Sequence, residues 1–566
     1  MPGAAGGPPA AQRPLARAGS LALAALAVVP LLIGAANDVQ EIDPAQYAEI
    51  TRRVVETGDW VRLRDNSGLF LNKPPLAFWL MGGSFRLLGE TSLAVRLPSL
   101  LLALVALLAT ARIGALLWGP QAGVRAGALL AASVAFQLMV FDPKVDMIVT
   151  GFMALAVMLV LEARRRGAAM WLSWASAALG ILTKGPIGLV IPALAVLPEA
   201  LRRPLDAPDQ RSSSLWRRLR PLRPGGALLL LALIVPWYWA LSRDFGSYGP
   251  RFLLWDQSFG RLFAERRSHD AGPFFFLHTA LWAFLPSVPF LVGELALRFL
   301  SWRRARFVLP PDMGRVPLWW LLLPFLGISL STYKLPQYVF WLTPPAALLA
   351  AHFLVRPGIA ARTWRALAAV ELLLGALVVG VVVLVLRACF PASLTLTLLW
   401  LGLTVGLVAG GWLVAGRLTP DSRLLTISVV TLTAFNLFHA GYFQPEVLRF
   451  QPARRIGETV RAVDPTGKEL LFVGLRATSA AAFYARRSAV QASAHEAAAR
   501  VRLGQARVAV VGPDVAPALR EEGLDVHELA RLPAFHTSKP TLRFLRARSR
   551  PEVLDTWILV ALEPRS

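Results

Sequence analysis

Residues 37–80 read NDVQEIDPAQYAEITRRVVETGDWVRLRDNSGLFLNKPPLAFWL, a polar segment set between the apolar runs Ser20 to Ala36 and 93–111. One bilayer crossing takes about 20 mostly apolar residues. The flanking runs therefore predict membrane spans, and the segment between them predicts a loop held at one membrane face. That loop is too long and too patterned to be a mere connector. Asp43 precedes Pro44, a pairing that suits a helix N-cap followed by proline at the first helical position. From spacing alone, the plainer account of Asp43 is that it caps a helix lying on the membrane.

Outward from this loop, composition points the same way. Hydrophobic residues make up 55% of the 566-residue chain and charged residues only 17%. The mean hydropathy of +0.53 is far above that of an ordinary globular protein. A soluble enzyme and a disordered scaffold are both excluded. The one cysteine, Cys389, leaves no disulfide framework and no cysteine-based metal site, and seven histidines without an HExxH pattern argue against a zinc protease. The net charge of +24 falls largely in short loops between apolar runs, where basic residues set topology and meet anionic headgroups. Membrane lipids are the expected partner, and nucleic acid is not.

Arg13 and Arg17 precede the first run, which is expected to stay as an uncleaved span rather than leave as a signal peptide. Twelve further spans are expected at 93–111, 125–141, 147–163, 169–183, 186–200, 226–242, 274–296, 317–331, 337–354, 366–386, 394–416 and 424–442, about 13 in all. Alternation then places inside the loops holding Arg112 and Arg125, Arg164 to Arg166, seven arginines in 201–224, Arg298 to Arg315, Arg356 to Arg365, and Arg417 to Arg423. This agrees with the positive-inside rule. The outer side receives the first loop (37–92), a second long loop (243–273) and everything after 443. Residues 1–445 form the expected transmembrane domain. From about 450 to 566 the pattern changes: short β-like runs at Glu469 to Val473, Val508 to Val511 and Trp557 to Leu562 alternate with helical stretches such as Ala494 to Leu503. These predict a small α/β domain on the outer face.

Two features of the membrane part look chemical. Asp146, in FDPKVDMIVTGF, falls at the outer end of the fourth span, where an ionisable group is costly and is usually functional or paired. Pairing with its neighbour Lys144 is the structural alternative. Lysine usage is the second feature. Six of the 59 basic residues are lysines, and Lys73, Lys144, Lys184 and Lys334 all thread to the outer face, in NKPP, DPKVD, TKGP and YKLP. A compact ammonium binds phosphate as a point charge, so basic groups and two acids on one face suggest a phosphate-bearing substrate at the membrane surface.

At these residues the chain resembles the GT-C superfamily of membrane glycosyltransferases that use polyprenyl-phosphate sugars. It is most similar to the bacterial lipid A aminoarabinose transferases and their protein O-mannosyltransferase relatives. The resemblance rests on Asp43, Tyr47-Ala48-Glu49-Ile50, Gly58-Asp59-Trp60, Lys73-Pro74-Pro75, Arg96-Leu97-Pro98, Asp146 before Thr150-Gly151-Phe152, Leu182-Thr183-Lys184-Gly185-Pro186, Pro236-Trp237-Tyr238 and Lys334-Leu335-Pro336. It covers roughly residues 20–350. It implies an α-helical polytopic membrane protein of GT-C type with a small C-terminal α/β periplasmic domain, placed in the bacterial inner membrane with its active site in the periplasm.

The implied activity is transfer of a hexose or pentose from an undecaprenyl-phosphate donor to a lipid A, glycan or protein acceptor. Asp43 and Asp146 would be the catalytic carboxylates and Lys73 the contact to the donor phosphate. Tyr47, Glu49, Lys184 and Lys334 would bind substrate. Three departures stand out: Pro44 replaces the second acid of an Asp-Glu pair, Asn72 replaces a glutamate before the KPP lysine, and no histidine occurs near Trp255-Asp256-Gln257-Ser258. A divalent metal is therefore a candidate cofactor without assigned ligands. The rival class is a transporter or flippase of lipid-linked sugars. It is disfavoured because the candidate charges collect at one face, and no paired repeats are visible.

Overall fold

The computed structural model describes residues 12–66, 68–163, 169–201, 223, 225–260, 272–304, 313–535 and 540–565. The arginine-rich stretch 201–224 lies almost wholly outside them. The chain is a multi-pass membrane protein built mostly of helices, with one sheet near its C-terminus.

Helix α1 (Gln12–Gly34) leads into the first long loop, where α2 (Asp43–Thr57) forms a short amphipathic helix. Its apolar positions Ala45, Ala48, Ile50 and Val54 recur at helical spacing and are buried, and Gly58 ends it in the left-handed conformation, φ +70°. A minimal hairpin, β1 (Arg64–Asp65) with β2 (Gly68–Leu69), leads to the double proline 74–75 and helix α3 (Leu76–Leu88). Helix α4 (Ser92–Trp118) is N-capped by Thr91, whose hydroxyl accepts the Ala94 amide at 3.1 Å. Then come α5 (Pro120–Ala132), α6 (Val134–Phe141), α7 (Val145–Ala163), α8 (Ala169–Lys184) and α9 (Ile187–Leu201).

Small residues let these helices approach closely, as expected in lipid, where apolar burial alone does not drive helices together. A Cβ on Gly123 would come within 2.3 Å of the Ala111 carbonyl, and one on Gly188 within 2.2 Å of the Gly180 carbonyl carbon.

The count of about 13 spans is not confirmed. Among the described residues, seven helices are long and apolar enough to cross a bilayer, or eight if α5 and α6 form one broken span. That pair bends by 55° at Ser133. The expected span 274–296 is likewise broken, into helices Phe275–Ala283 and Val288–Arg304. Four apolar helices, including Ile187–Leu201 and Val316–Leu330, have 10–17 residues. The physical reason is burial within protein: a free backbone group at a helix break finds an internal partner, so the run need not cross unbroken. Ser133 Oγ donates to the Ala283 carbonyl at 3.1 Å, and Gln137 Nε2 donates to the carbonyls of Ala27 and Ala131.

The C-terminal sheet has five strands in the order β4-β3-β5-β7-β6: β3 (Glu469–Val473), β4 (Ser488–Ala492), β5 (Val508–Val511), β6 (Leu524–Ala534) and β7 (Asp555–Pro564). Strands β3, β4 and β5 are parallel, while β7 runs antiparallel to β5 and β6. All four residues of β5 are buried, as befits a central strand covered on both faces. One apolar core joins this domain to the first long loop: Tyr47, Ile50, Phe78 and Phe85 belong to the same buried cluster as Phe472, Phe483 and Trp557.

Candidate active site

The first turn of α2, the 142–144 link, the start of α7, the end of α8 and the segment Pro336–Val355 converge on a cavity of about 480 Å³. Asp43, Lys73, Lys144, Asp146, Lys184 and Trp341 line its polar part. Its apolar wall comes from α9, through Ile187, Ile191 and Leu194, and from helix Val316–Leu330, through Leu323 and Ile328. A second cavity of about 250 Å³ meets it at Lys144 and Asp146 and includes Asp142 and His439.

Asp146 is the second residue of α7, so its carboxylate sits where the helix end is partly positive. It is buried, ion-paired with Lys184 and accepts a 2.7 Å hydrogen bond from Trp341 Nε1. The Lys184 ammonium also lies 4.5 Å from the Trp341 ring centroid, within cation–π range. Asp43 is placed differently. Its side chain is 47% exposed and its carboxylate lies 3.5 Å from Lys144 Nζ. Lys144 in turn pairs with Asp142 at 2.8 Å. Burial pushes the Asp142 carboxyl above the usual carboxylate range, against the pull of Lys144. Burial works against the Lys144 charge as well, yet Asp142 and Asp43 outweigh it and hold the ammonium above its ordinary range.

Three carboxylates thus face three ammonium groups beside an apolar wall, an arrangement able to accept an anionic headgroup carrying a long apolar tail. A metal fits poorly. Asn72 accepts a 3.3 Å hydrogen bond from Gln257, so an amide pair bridges the two long loops, and among the described residues no group of three or more His, Cys, Asp or Glu could hold an ion.

Residues 72–239 match the family model described as dolichyl-phosphate-mannose-protein mannosyltransferase. The chain is 32% identical over 327 residues to undecaprenyl phosphate-alpha-4-amino-4-deoxy-L-arabinose arabinosyl transferase 1 of Sodalis glossinidius, covering 55% of this chain and 54% of that one. A Pseudomonas aeruginosa transferase of the same description is 30% identical over 329 residues, 56% and 55% of the two chains. The match thus spans about half the length of these curated relatives. Over nearly the whole chain, the crystal structure of ArnT from Cupriavidus metallidurans bound to undecaprenyl phosphate superposes with a TM-score of 0.74, at 20% identity, covering 95% of this chain and 97% of ArnT. The chain has the ArnT fold. The apo form of the same ArnT gives a TM-score of 0.69 at 19% identity, covering 95% and 97%.

Within this ArnT fold, the residues singled out from sequence divide. Asp43, Tyr47, Lys73, Asp146 and Lys184 all line the large cavity. Tyr47 stands edge-on between Phe70 and Phe78, centroids 6.3 and 5.3 Å away, so packing fixes its ring. Glu49 is a correction. It is buried on another face of α2, where Arg52 and Arg53 take up its oxygens, and it does not line the cavity. The i,i+3 and i,i+4 spacing of those arginines makes it a local ion-pair centre. Lys334 also turns away, donating to the Gly272 carbonyl at 3.1 Å.

The capping role for Asp43 is corrected too. Ile42 occupies the N-cap position without a side-chain cap, and Asp43 is the first helical residue, its carboxylate directed to Lys144. The local pair anticipated between Asp146 and Lys144 is replaced by Lys184 from α8. Sequence reasoning missed Trp341 as a partner of Asp146. A tryptophan in an aromatic, apolar run reads as an interface residue, so no local signal marked it.

Proposed function

We propose that the chain is an integral membrane glycosyltransferase that moves a sugar from undecaprenyl phosphate to lipid A, and that the sugar is the pentose 4-amino-4-deoxy-L-arabinose. The single observation carrying this reading is the cavity that joins three ammonium groups to an apolar wall. A polyprenyl phosphate has that same two-part chemistry, and the descriptions of the relatives name such a donor. In the proposed step, an acceptor oxygen attacks the anomeric carbon as the bond to the phosphate oxygen breaks, with inversion. The departing phosphate keeps the electron pair, and Lys73 with its neighbouring ammonium groups stabilises that charge. Asp43 takes the proton of a hydroxyl acceptor, or orients an acceptor that is already ionised. Asp146, committed to Lys184 and Trp341, sets the local field.

The test is transfer from undecaprenyl-phosphate aminoarabinose to lipid A by purified protein. Asp43→Asn is expected to fold and insert normally while turnover falls by roughly 10²-fold or more. Movement of the lipid-linked sugar across vesicles without any transfer would favour a transporter instead.

We further propose a bacterial inner-membrane location, with the cavity and residues 450–566 in the periplasm. A phosphatase reporter fused after Phe443 should then be active and one near Ser213 silent; the opposite pattern would invert the topology.

A further inference from the structure

The five residues 37–41 lead directly into α2 and Asp43, and they are tied down from two sides. From the membrane side, the fully buried Arg96 donates to the carbonyls of Asn37 at 2.6 Å and Asp38 at 2.9 Å, and also to Phe141 at 3.2 Å, just ahead of the 142–146 segment. Asn37 Nδ2 reaches the Ala440 carbonyl and Gln444 Oε1, both at 2.9 Å.

From the outer side the ties come from the C-terminal part of the chain. The Val39 amide donates to the Tyr484 hydroxyl at 2.7 Å, and that hydroxyl lies 3.1 Å from Ser92 Oγ. Asp38 pairs with Arg454 at 2.8 Å, and the Glu41 amide donates to Gln451 at 3.0 Å. Glu41 is itself only 5% exposed, and its carboxylate accepts the Ala480 amide at 2.8 Å. Ala480 and Tyr484 both belong to the short helix Ser479–Ala485, which packs between β3 and β4 in sequence and shares the apolar core of α2.

We propose that the C-terminal sheet domain is a positioning element of the active site, in which Tyr484 and Glu41 hold the strap 37–41 so that Asp43 stays at its working distance from Lys144. This inference rests on the transferase reading above, in which Asp43 meets the acceptor. Neither Tyr484 nor Glu41 lines the large cavity, so both act through the strap. An unpaired buried amide is costly, which makes the Val39–Tyr484 bond a strong tether.

The Glu41 contact also makes the tether sensitive to pH. Glu41 lines a small pocket with Phe450, Gln451, Pro452, Ala453, Thr478, Ala534, Phe535 and Trp557, none of them ionisable, and the acid on its own strap, Asp38, is taken by Arg454. Burial pushes the Glu41 carboxyl up to about 7, against the hydrogen bonds from Ala480 and Thr478. The neutral form is thus the one that suits the buried contact. The stability this contributes is fully present below the ordinary carboxylate range and is lost as pH rises through about 7.

The experiment uses the full-length purified protein and reads two quantities: amide hydrogen exchange of the 37–42 peptide by mass spectrometry, and kcat and KM for sugar transfer. For Tyr484→Phe, exchange of the strap should rise about tenfold or more. Its kcat should fall about tenfold while KM for the donor stays within about twofold. Glu41→Gln keeps an acceptor for Ala480 but cannot ionise, so the ratio of its activity to wild type should rise about fivefold between about pH 6 and about pH 8. A looser strap with unchanged kcat in Tyr484→Phe, or a flat activity ratio for Glu41→Gln, overturns the proposal. If Tyr484→Phe fails to fold, the Glu41→Gln ratio decides. A wild-type protein that transfers no sugar overturns the transferase reading and the catalytic part of this one with it. The exchange contrast then still decides whether the domain holds the strap.

Discussion

The two halves of the candidate site handle charge in opposite ways. In the membrane half, the Asp146 side chain is 7% exposed and is held by both Lys184 and Trp341. In the first-loop half, the Asp43 side chain is 47% exposed, with Lys144 3.5 Å from its carboxylate. A buried charge costs several kcal/mol unless it is paired and hydrogen-bonded, so the membrane half must spend its carboxylate on structure. A half-exposed acid carries no such obligation and keeps capacity for an incoming group. The comparison favours Asp43 as the group that meets the acceptor and Asp146 as the fixed charge behind it.

The largest effect that could break this contrast is on stability. Lys184→Ala leaves Asp146 buried without its cation and should destabilise the protein by about 3–5 kcal/mol, read from a denaturant or thermal midpoint in detergent. A loss below about 1 kcal/mol would mean that the buried pair is not the anchor it resembles. Asp43→Asn should show the reverse, an unchanged midpoint beside the roughly 10²-fold loss of turnover, equal to about 2.7 kcal/mol of barrier. A destabilised Asp43→Asn would place both halves in the same structural class.

Lys73→Ala should be smaller again. Losing a charge-assisted contact to the donor phosphate should weaken donor use by about 1.5–3 kcal/mol. Lys73→Arg should restore only part of it, because a planar fork does not replace a compact ammonium. Unaltered donor affinity in Lys73→Ala would move the phosphate towards Lys144.

Much of the architecture is legible in the sequence. Apolar runs of bilayer length announce spans because water-free surroundings force the backbone into helices. The β-like runs expected from Glu469 to Val473 and from Val508 to Val511 are the strands β3 and β5, because short buried apolar runs bounded by turn signals leave a local signature. Strand β6 was not foreseen: its sequence, LDVHELARLPA, mixes acids, a proline and exposed positions and carries little periodicity. Span lengths were less legible still. The breaks at Ser133 and between Ala283 and Val288 depend on internal partners that only the packed bundle provides.

The site divides along the same line. The sequence by itself determined that Asp43, Lys73, Asp146 and Lys184 are charged groups in non-helical or end-of-helix settings beside membrane spans, since charge near a bilayer is expensive enough to be conspicuous in any apolar run. Only the tertiary structure decided their partners. Trp341 reaches Asp146 from 195 positions away, Glu49 is withdrawn by two arginines on its own helix, and Tyr484 closes on Val39 across most of the chain. Spacing along a chain reports which face of an element a residue occupies. It does not report which distant element will be packed against that face, and in this protein that packing separates the anchored acid from the available one.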